Sequence, residues 1–338
     1  MSGRGEATVA GAGALGLCCA LALADAGFQV TVYDPADGGA SAVAAGMLAP
    51  VFEAALDEAA PPLPLLLGAR DLWPALAARA GVRLIRDGAL AAGSADWLHG
   101  VVSGLSRLGV RAAELPPAAV QALAPGLAGS VEGVLLNRED WRLEPQAALA
   151  ALRAACVATG VAFRREAAPG RRSDGLLVIA TGAGRGLARD APELVRLSPI
   201  KGHLLHANAP DLTYLTVRGE EGYVTPVGDS LALGATMEAG VDDPEPDPAR
   251  AAPLLAAAVR LFPALAHARP RLLAGVRGST PDGLPLAGFS AEPKVLLAVG
   301  ARRNGWLLAP LVAQVTAALA VGADPGPWAA ALDPSRFG

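Results

Sequence analysis

The chain has 338 residues, of which 52% are hydrophobic, and its formal net charge is −4. This length allows two domains with substantial cores, and a mildly acidic chain without a basic run argues against a nucleic-acid-binding protein. The three cysteines, Cys18, Cys19 and Cys156, are too few for a disulfide framework and lack metal-ligand spacing, which favours a reduced, cytoplasmic setting.

The first 34 residues predict a strand, a glycine-rich turn, a helix and a second strand. Residues 7–10 and 28–33 are apolar runs, and residues 17–26 between them are mostly helix formers. The turn is Gly-Ala-Gly-Ala-Leu-Gly at residues 11–16, and Asp34 ends the second run. This pattern explains the glycines better than a secretion signal does. No other run is long and apolar enough for a transmembrane helix, so we expect no membrane association.

Each part of this unit has a role in binding a dinucleotide. Gly11 allows a tight turn, Gly13 allows a pyrophosphate near the backbone, and Gly16 lets the helix approach the sheet. The N–H groups at the helix N-terminus bind the diphosphate, and the carboxylate after the second strand accepts hydrogen bonds from ribose hydroxyls. The alternative is a glycine-rich turn in an α/β domain that binds no ligand. The predicted contacts are Gly11, Gly13, Ala14, Leu15, Gly16 and Asp34.

Small residues dominate the next segment, Ser-Ala-Val-Ala-Ala-Gly-Met-Leu-Ala-Pro at residues 41–50. Small side chains allow the backbone to approach a bulky planar ligand, and Ser41 could bond a phosphate or a ribose. The alternative interpretation is a plain loop that enters a helix.

The middle of the chain continues the alternation of helices and strands. We predict helices at residues 63–80 and 95–108, and strands at residues 83–91, with a turn at residues 87–88, and at residues 131–136. Residues 140–145 are predicted to open a helix that runs to about residue 158, with an N-cap and a hydrophobic staple.

Residues 176–182 form a continuous apolar run that ends in Ala-Thr-Gly, after a short predicted strand at residues 161–165. A fully apolar strand implies a parallel sheet that is covered on both faces. Thr181 and Gly182 then lie at the carboxyl end of the strand, where open α/β sheets bind ligands.

From residue 199 the pattern changes to antiparallel strands. We predict strands at residues 200–206, 214–217, 222–227 and 230–236, with a hairpin turn at residues 228–229 and a helix at residues 249–262. His203 and His206 are three apart on a strand and therefore point to opposite faces, which argues against a shared metal. Residues 272–276 and 295–299 return to apolar strands, and the last long helix starts near Gly305.

Three stretches could bind a substrate carboxylate: Tyr223 with Met237 on the hairpin, Arg277 at a strand end, and Arg303 before the last helix. A guanidinium offers two parallel donors to a carboxylate, and a buried phenol adds a third donor without a second charge. The alternatives are solvent-exposed arginines, a tyrosine that packs in the core and a methionine that fills it.

Two motifs resemble the D-amino acid oxidase superfamily of FAD-dependent enzymes, and most closely its glycine oxidases. They are residues 41–50 and the Arg-Asn-Gly-Trp-Leu-Leu-Ala-Pro stretch at residues 303–310. The resemblance implies FAD, bound non-covalently because no cysteine follows Cys156. It also implies that the Asp-Trp at residues 140–141 marks the return of the chain to the flavin domain. The flavin contacts it implies are Ala45, Gly46, Met47, Thr181, Gly182, Arg303, Asn304, Gly305, Trp306 and Leu307.

The same resemblance implies a substrate site. Arg277 and Tyr223 match the positions that anchor the substrate carboxylate, Met237 lines a small pocket, and Arg303 lies near the substrate. Gly278 departs from the family, which usually has proline there, and we expect it to loosen a loop.

The implied reaction is oxidative deamination of glycine, sarcosine or small D-amino acids. A hydride passes from the substrate Cα to flavin N5, O2 reoxidises the flavin to give H2O2, and the product could supply the thiazole of thiamine. The alternatives are an amine dehydrogenase with another acceptor, an oxidase of a larger secondary amine, and an FAD-binding protein without turnover. An NAD-linked dehydrogenase is a weaker fourth.

The predicted fold class is α/β, with a Rossmann-type FAD-binding domain and a second, antiparallel-sheet α+β substrate domain. We assign residues 1–85, 146–198 and 271–338 to the first domain and residues 86–145 and 199–270 to the second. The expected partners are an amino acid and O2, without nucleic acid or membrane, and a homo-oligomer is left open.

Overall fold

The structure is a computed structural model that describes residues 4–35, 39–171 and 175–338. Its strands are β1 (Glu6–Ala10), β2 (Gln29–Tyr33), β3 (Met47–Leu48), β4 (Leu84–Ile85), β5 (Ala89–Gly93), β6 (Ala113–Glu114), β7 (Gly133–Asn137), β8 (Trp141–Leu143), β9 (Ala162–Arg164), β10 (Leu176–Ile179), β11 (Ser198–Ala207), β12 (Thr216–Gly219), β13 (Gly222–Val227), β14 (Ser230–Gly234), β15 (Glu238–Ala239), β16 (Arg271–Ser279), β17 (Leu286–Phe289) and β18 (Val295–Val299).

The α-helices are α1 (Ala14–Asp25), α2 (Gly39–Val43), α3 (Pro50–Leu56), α4 (Leu63–Asp71), α5 (Trp73–Ala80), α6 (Ala95–Arg107), α7 (Pro117–Leu123), α8 (Pro145–Ala158), α9 (Pro248–Leu261), α10 (Gly305–Val321) and α11 (Ala329–Leu332). Single turns of 3₁₀-helix span Pro192–Arg196, Pro210–Leu212, Pro263–His267 and Pro334–Phe337. Within the described residues, no helix is both long and apolar enough to cross a bilayer.

The first sheet is parallel apart from one edge strand. Its order is β17-β18-β10-β1-β2-β9, and β17 runs antiparallel to β18. Val178 of β10 packs in one core cluster, and its neighbours Leu177 and Ile179 pack in another on the opposite face. The sheet is therefore covered on both faces, as the continuous apolar run at residues 176–182 predicts.

The second sheet is largely antiparallel, which confirms the predicted α+β part. It runs β15-β11-β14-β13-β12-β5-β7-β6, and β16 pairs with β11. Helix α9 packs on one face, over a core that includes Val224 and Leu233. The strand β16, which we assigned from sequence to the FAD-binding domain, hydrogen-bonds here. The domain bounds remain a proposal, now with residues 271–279 in the second domain.

Two predicted elements are divided in the structure. The predicted helix at residues 63–80 is two helices that meet at Leu72, because Pro74 lacks the N–H needed to continue one helix through this point. The predicted strand at residues 83–91 splits at Gly88, which has a φ of +93°. β4 joins a small sheet, whereas β5 joins the second sheet.

The predicted N-cap at residues 140–145 is wrong. Residues 141–143 form β8, which pairs with β3 and β4, and α8 begins only at Pro145. Asp140 is 1% exposed and caps a different helix, because its carboxylate accepts from the N–H groups of Val51 (2.8 Å) and Phe52 (3.1 Å). Tertiary pairing of a short segment overrides its local preference here. The small sheet β3-β8-β4 also connects β3, which lies among the predicted flavin contacts, to the start of α8.

Candidate active site

The glycine turn between β1 and α1 is shaped by two close backbone contacts. A Cβ on Gly11, which has a φ of +108°, would lie 2.4 Å from the carbonyl oxygen of Ala180. A Cβ on Gly16 would lie 2.0 Å from the carbonyl oxygen of Gly11. Only glycine allows the turn to approach β10 and the helix to approach the turn.

Two side chains from later segments reach the N-terminus of α1 and the turn before it. Gly13 is its N-cap and contributes no side-chain hydrogen bond. The hydroxyl of Ser41 accepts from the N–H of Ala14 at 3.0 Å, and the carboxylate of Asp34 accepts from the N–H of Ala12 at 2.6 Å. The predicted dinucleotide contacts, Leu15 included, are thus gathered around one helix N-terminus, which suits a diphosphate.

A second group of predicted residues lines one cleft of about 680 Å³, its open mouth included. The cleft is bounded by the β3 segment, the second sheet and the start of α10. Its predicted members are Ala45, Gly46 and Met47 from the first, Tyr223, Met237 and Arg277 from the second, and Arg303 and Trp306 from the third.

The remaining predicted flavin contacts lie beside this cleft without lining it. Thr181 follows β10 and donates its hydroxyl to the carbonyl of Gly184 at 2.8 Å. Gly305 begins α10. The Leu307 side chain is 1% exposed and packs in the core, so only its main-chain N–H, in the first turn of the helix, could contact a ligand. Asn304 is 7% exposed, and its Nδ2 has no hydrogen-bond partner among the described residues. A buried amide donor at a helix N-terminus suits an acceptor such as a flavin carbonyl.

Arg277 presents its guanidinium to the cleft from β16. Its Nη1 lies 3.5 Å from the carbonyl oxygen of Thr236 and 3.6 Å from Sδ of Met237. A Cβ on Gly202 would lie 2.0 Å from this Nη1, so the guanidinium lies directly over that glycine. Burial lowers the pKa of Arg277, as does the nearby charge of Arg303. Among the described residues, no carboxylate pairs with Arg277.

The strand that carries Arg277 is longer than predicted. β16 runs to Ser279, and Arg277 lies in register with Ile200 of β11. Gly278 is therefore part of a strand and does not loosen a loop, contrary to our expectation. A Cβ at Gly278 would lie 2.6 Å from the carbonyl oxygen of Gly182, which accounts for glycine at this position.

Tyr223 lines the cleft from β13. A Cβ on Gly234, its cross-strand neighbour, would lie 2.5 Å from the Tyr223 hydroxyl, so the ring covers this glycine. Burial raises the pKa of Tyr223, although the charges of Arg277 and Arg303 oppose the shift. The phenol is therefore a neutral donor at physiological pH.

A buried charge network that the sequence did not reveal surrounds Arg303. Its Nε lies 2.9 Å from Oε1 of Glu53, and its Nη1 lies 3.4 Å from Oδ2 of Asp57. Arg218, which is 5% exposed, approaches the other Glu53 oxygen at 3.5 Å, and Arg302 pairs with Asp57. Glu53 itself is 3% exposed.

The network changes the pKa values of its members. Burial lowers the pKa of Arg303, but the carboxylates of Glu53 and Asp57 outweigh that effect and leave the value raised. Burial raises the pKa of Asp57, but the hydrogen bonds from Arg302 and from the Ala59 N–H, together with the charges of Arg302 and Arg303, outweigh it and leave the value lowered. The only sequence signal was an acidic residue, Glu53, three positions after the small-residue segment; its partners Arg218 and Arg303 are far away in the chain.

Comparison with known proteins gives one consistent result. Residues 6–319 match the family described as DAO, FAD dependent oxidoreductase. The chain is 34% identical to the putative thiamine biosynthesis oxidoreductase ThiO of Rhizobium etli, over 90% of this chain and 93% of that protein. It is 31% identical to the bifunctional protein ThiO/ThiG of Trichormus variabilis over 98% of this chain, but it spans only 55% of that longer protein.

A solved structure shares the whole fold. The crystal structure of glycine oxidase from Geobacillus kaustophilus superposes with a TM-score of 0.82 at 26% identity, and 98% of each chain is covered. This agreement confirms the predicted fold class.

Proposed function

The chain belongs to the DAO family of FAD dependent oxidoreductases, and we propose that it oxidises the amine of glycine or another small amino acid. The relatives named ThiO and glycine oxidase support this substrate class. The reaction itself is a proposal, because the chain spans about half the length of the first curated relatives it matches.

One observation carries the proposal: Arg277 is a half-buried cation in the cleft with no carboxylate partner among the described residues. A substrate carboxylate would accept hydrogen bonds from this guanidinium and from the Tyr223 hydroxyl, which is a strong, charge-assisted arrangement. Arg303 is already paired with Glu53 and Asp57, so it serves as a fixed positive charge at the cleft wall. Met237 lines the cleft with its Sδ 3.6 Å from Nη1 of Arg277, which favours small substrates.

The residues around the two helix N-termini fit FAD. The first-turn N–H groups of α1, together with Ser41 and Asp34, would hold the diphosphate and the ribose. The first turn of α10 and the unpartnered Nδ2 of Asn304 would donate to the flavin ring. When bound, FAD accepts a hydride from the substrate Cα and passes the electrons to O2, which gives H2O2. Since Cys18, Cys19 and Cys156 are all buried, we propose that the FAD is non-covalent.

The chain's own task in this reaction is orientation. Fixing the carboxylate at Arg277 and Tyr223 leaves the amine and Cα free to face the cofactor, and such positioning lowers the barrier without a side-chain acid or base. The neutral phenol of Tyr223 donates a hydrogen bond to the carboxylate. It does not add a second positive charge, which would repel the ammonium group of the substrate.

The physiological setting is also part of the proposal. We propose glycine, sarcosine and small D-amino acids as substrates, O2 as the acceptor, a cytoplasmic location and a product that supplies the thiazole of thiamine. The names of the ThiO relatives support the last point. The free thiols fit a reducing compartment.

The decisive experiment is anaerobic reduction of the purified, FAD-loaded protein by glycine, sarcosine, D-alanine and D-proline. We expect the flavin absorbance to bleach with at least one of these amines and H2O2 to appear when air is admitted. Bleaching without H2O2 would indicate a dehydrogenase with another acceptor. Bleaching only by larger secondary amines would shift the substrate class, and a flavin that no amine bleaches would refute the proposal.

A further inference from the structure

We propose that His203 is a positioning residue, which uses Glu238 to fix the segment Thr236–Glu238 against Arg277. The inference rests on the proposed function, because it concerns the shape of the same cleft. His203 lies on β11 next to Gly202, the glycine beneath the Arg277 guanidinium, but its side chain is on the other face of the sheet and 0% exposed.

The hydrogen bonds of His203 define its tautomer. The N–H of Asp247 can only donate, and it lies 2.9 Å from Nε2, which must therefore be the unprotonated nitrogen. The proton of the neutral ring is then on Nδ1, which lies 2.8 Å from Oε1 of Glu238. His203 thus accepts from the chain before α9 and donates to the end of the substrate segment.

Thr236 completes this connection. Its hydroxyl accepts from the main-chain N–H of His203 at 2.8 Å and donates to Oε1 of Glu238 at 2.9 Å. The Glu238 carboxylate therefore receives two donors at one oxygen, and Nε of Arg250 lies 3.8 Å from the other oxygen. The segment is held by hydrogen bonds more than by an ion pair.

The held segment is the one that contacts the substrate anchor. Both the carbonyl of Thr236 and Sδ of Met237 lie against Nη1 of Arg277. Residues 240–247, which follow the segment, are mostly exposed and are attached to the sheet through Lys201, whose Nζ lies 2.6 Å from Asp243, as well as through His203. Without the His203–Glu238 bond, the segment would keep its contacts with the main chain of β11 but lose the side-chain bond that fixes Glu238, and the guanidinium would be positioned less precisely.

Two conservative substitutions test the roles of the two ring nitrogens of His203 separately. The side-chain amide of His203→Asn can replace Nδ1 as the donor to Glu238, whereas His203→Gln can replace Nε2 as the acceptor for Asp247 N–H. If the bond to Glu238 positions the segment, His203→Gln should raise KM for glycine and Kd for glycolate about tenfold, because that is the effect of losing one charged hydrogen bond. The value of kcat should stay within about twofold of the wild type. His203→Asn should stay within about threefold of the wild type.

The measurements are steady-state turnover with O2 for KM and kcat, the flavin absorbance change on binding of glycolate (a carboxylate that lacks the amine) for Kd, and thermal unfolding for stability. Equal effects of the Asn and Gln variants, or an unchanged KM and Kd in a folded Gln variant, overturn the inference. If either variant fails to fold, Glu238→Ala is the substitute, because it removes the carboxylate that accepts from Nδ1 and leaves the buried His203 in place. It should raise KM and Kd alike, and unchanged values overturn the inference.

The two proposals fail differently. A wild-type protein that binds glycolate and is reduced by an amine, with an unaffected Gln variant, refutes only the role of His203. A wild-type protein that does neither refutes the proposed function and this inference with it.

Discussion

Nε of Arg303 lies 2.9 Å from Oε1 of Glu53, and both side chains belong to a charge network that reaches from α3 to the start of α10. Arg277, which lines the same cleft as Arg303, pairs with no carboxylate among the described residues. In the sequence both arginines were candidates for the site, Arg277 as the carboxylate anchor and Arg303 as a flavin contact near the substrate. Their different partners assign them different roles, one as an anchor for a ligand and the other as part of the wall.

Arg277→Met should abolish most carboxylate recognition. Removing a guanidinium that makes charge-assisted hydrogen bonds costs about 2–3 kcal/mol, so we expect kcat/KM for glycine to fall about 30- to 150-fold. Stopped-flow flavin reduction measures this directly. Arg271→Met, at the exposed end of the same strand, is the matched control and should retain wild-type kinetics. Normal reduction by Arg277→Met would show that the anchor lies elsewhere.

Glu53→Ala should destabilise the protein more than it alters substrate binding. It leaves the buried Arg218 without its counter-ion and removes one of the two carboxylates that hold Arg303. Breaking a buried ion pair from one side costs about 3–5 kcal/mol. Chemical denaturation gives the free energy of unfolding, with the exposed Glu58→Ala as control. If the two variants were equally stable, the network would contribute little to stability.

Asp140 makes stability depend on pH in an identifiable window. Burial raises the pKa of Asp140 from 3.8 to about 6, although Arg218 and two backbone N–H groups oppose the shift. The folded state therefore holds this proton more tightly than the unfolded state. The resulting stabilisation is complete below about pH 4 and is lost as the pH rises through about 6, and it amounts to about 3 kcal/mol.

The measurement for Asp140 is the free energy of unfolding of the wild type and of Asp140→Asn between pH 4 and pH 7. The asparagine retains one acceptor for the N–H groups of α3 but cannot titrate. The wild type should lose stability relative to the variant as the pH rises through this range. A constant difference would mean that Asp140 does not titrate there.

Gly16→Ala should prevent normal FAD binding. The added Cβ would lie 2.0 Å from the carbonyl oxygen of Gly11, and backbone atoms at that distance must move. We expect at least about tenfold weaker FAD binding and a loss of about 1–3 kcal/mol in stability, because the turn and the helix separate. Gly100→Ala, an exposed helical glycine with open space around it, should instead be neutral or stabilise by up to about 1 kcal/mol. Equal FAD affinity in both variants would contradict this account of the turn.

Elements with strong local patterns were predictable. The glycine turn, β18 and the apolar β10 follow the sequence closely, because their residues alone specify tight turns or full burial. Residues 141–143 were not predictable, because a three-residue segment has little preference of its own and β8 forms only where β3 and β4 supply partners.

The residues of the cleft likewise divide into those that the sequence predicts and those that only the tertiary structure brings together. The sequence by itself determined that a dinucleotide-binding unit opens the chain, that an antiparallel sheet follows, and that arginines and a tyrosine suited to a carboxylate lie on the later segments. Only the tertiary structure decided that Glu53 engages Arg303 and not Arg277, that Asp140 caps α3, and that His203 supports Glu238. The physical reason is range: burial patterns and turns are encoded by neighbours in the chain, whereas ion pairs and side-chain caps depend on which distant segments meet when the sheets assemble.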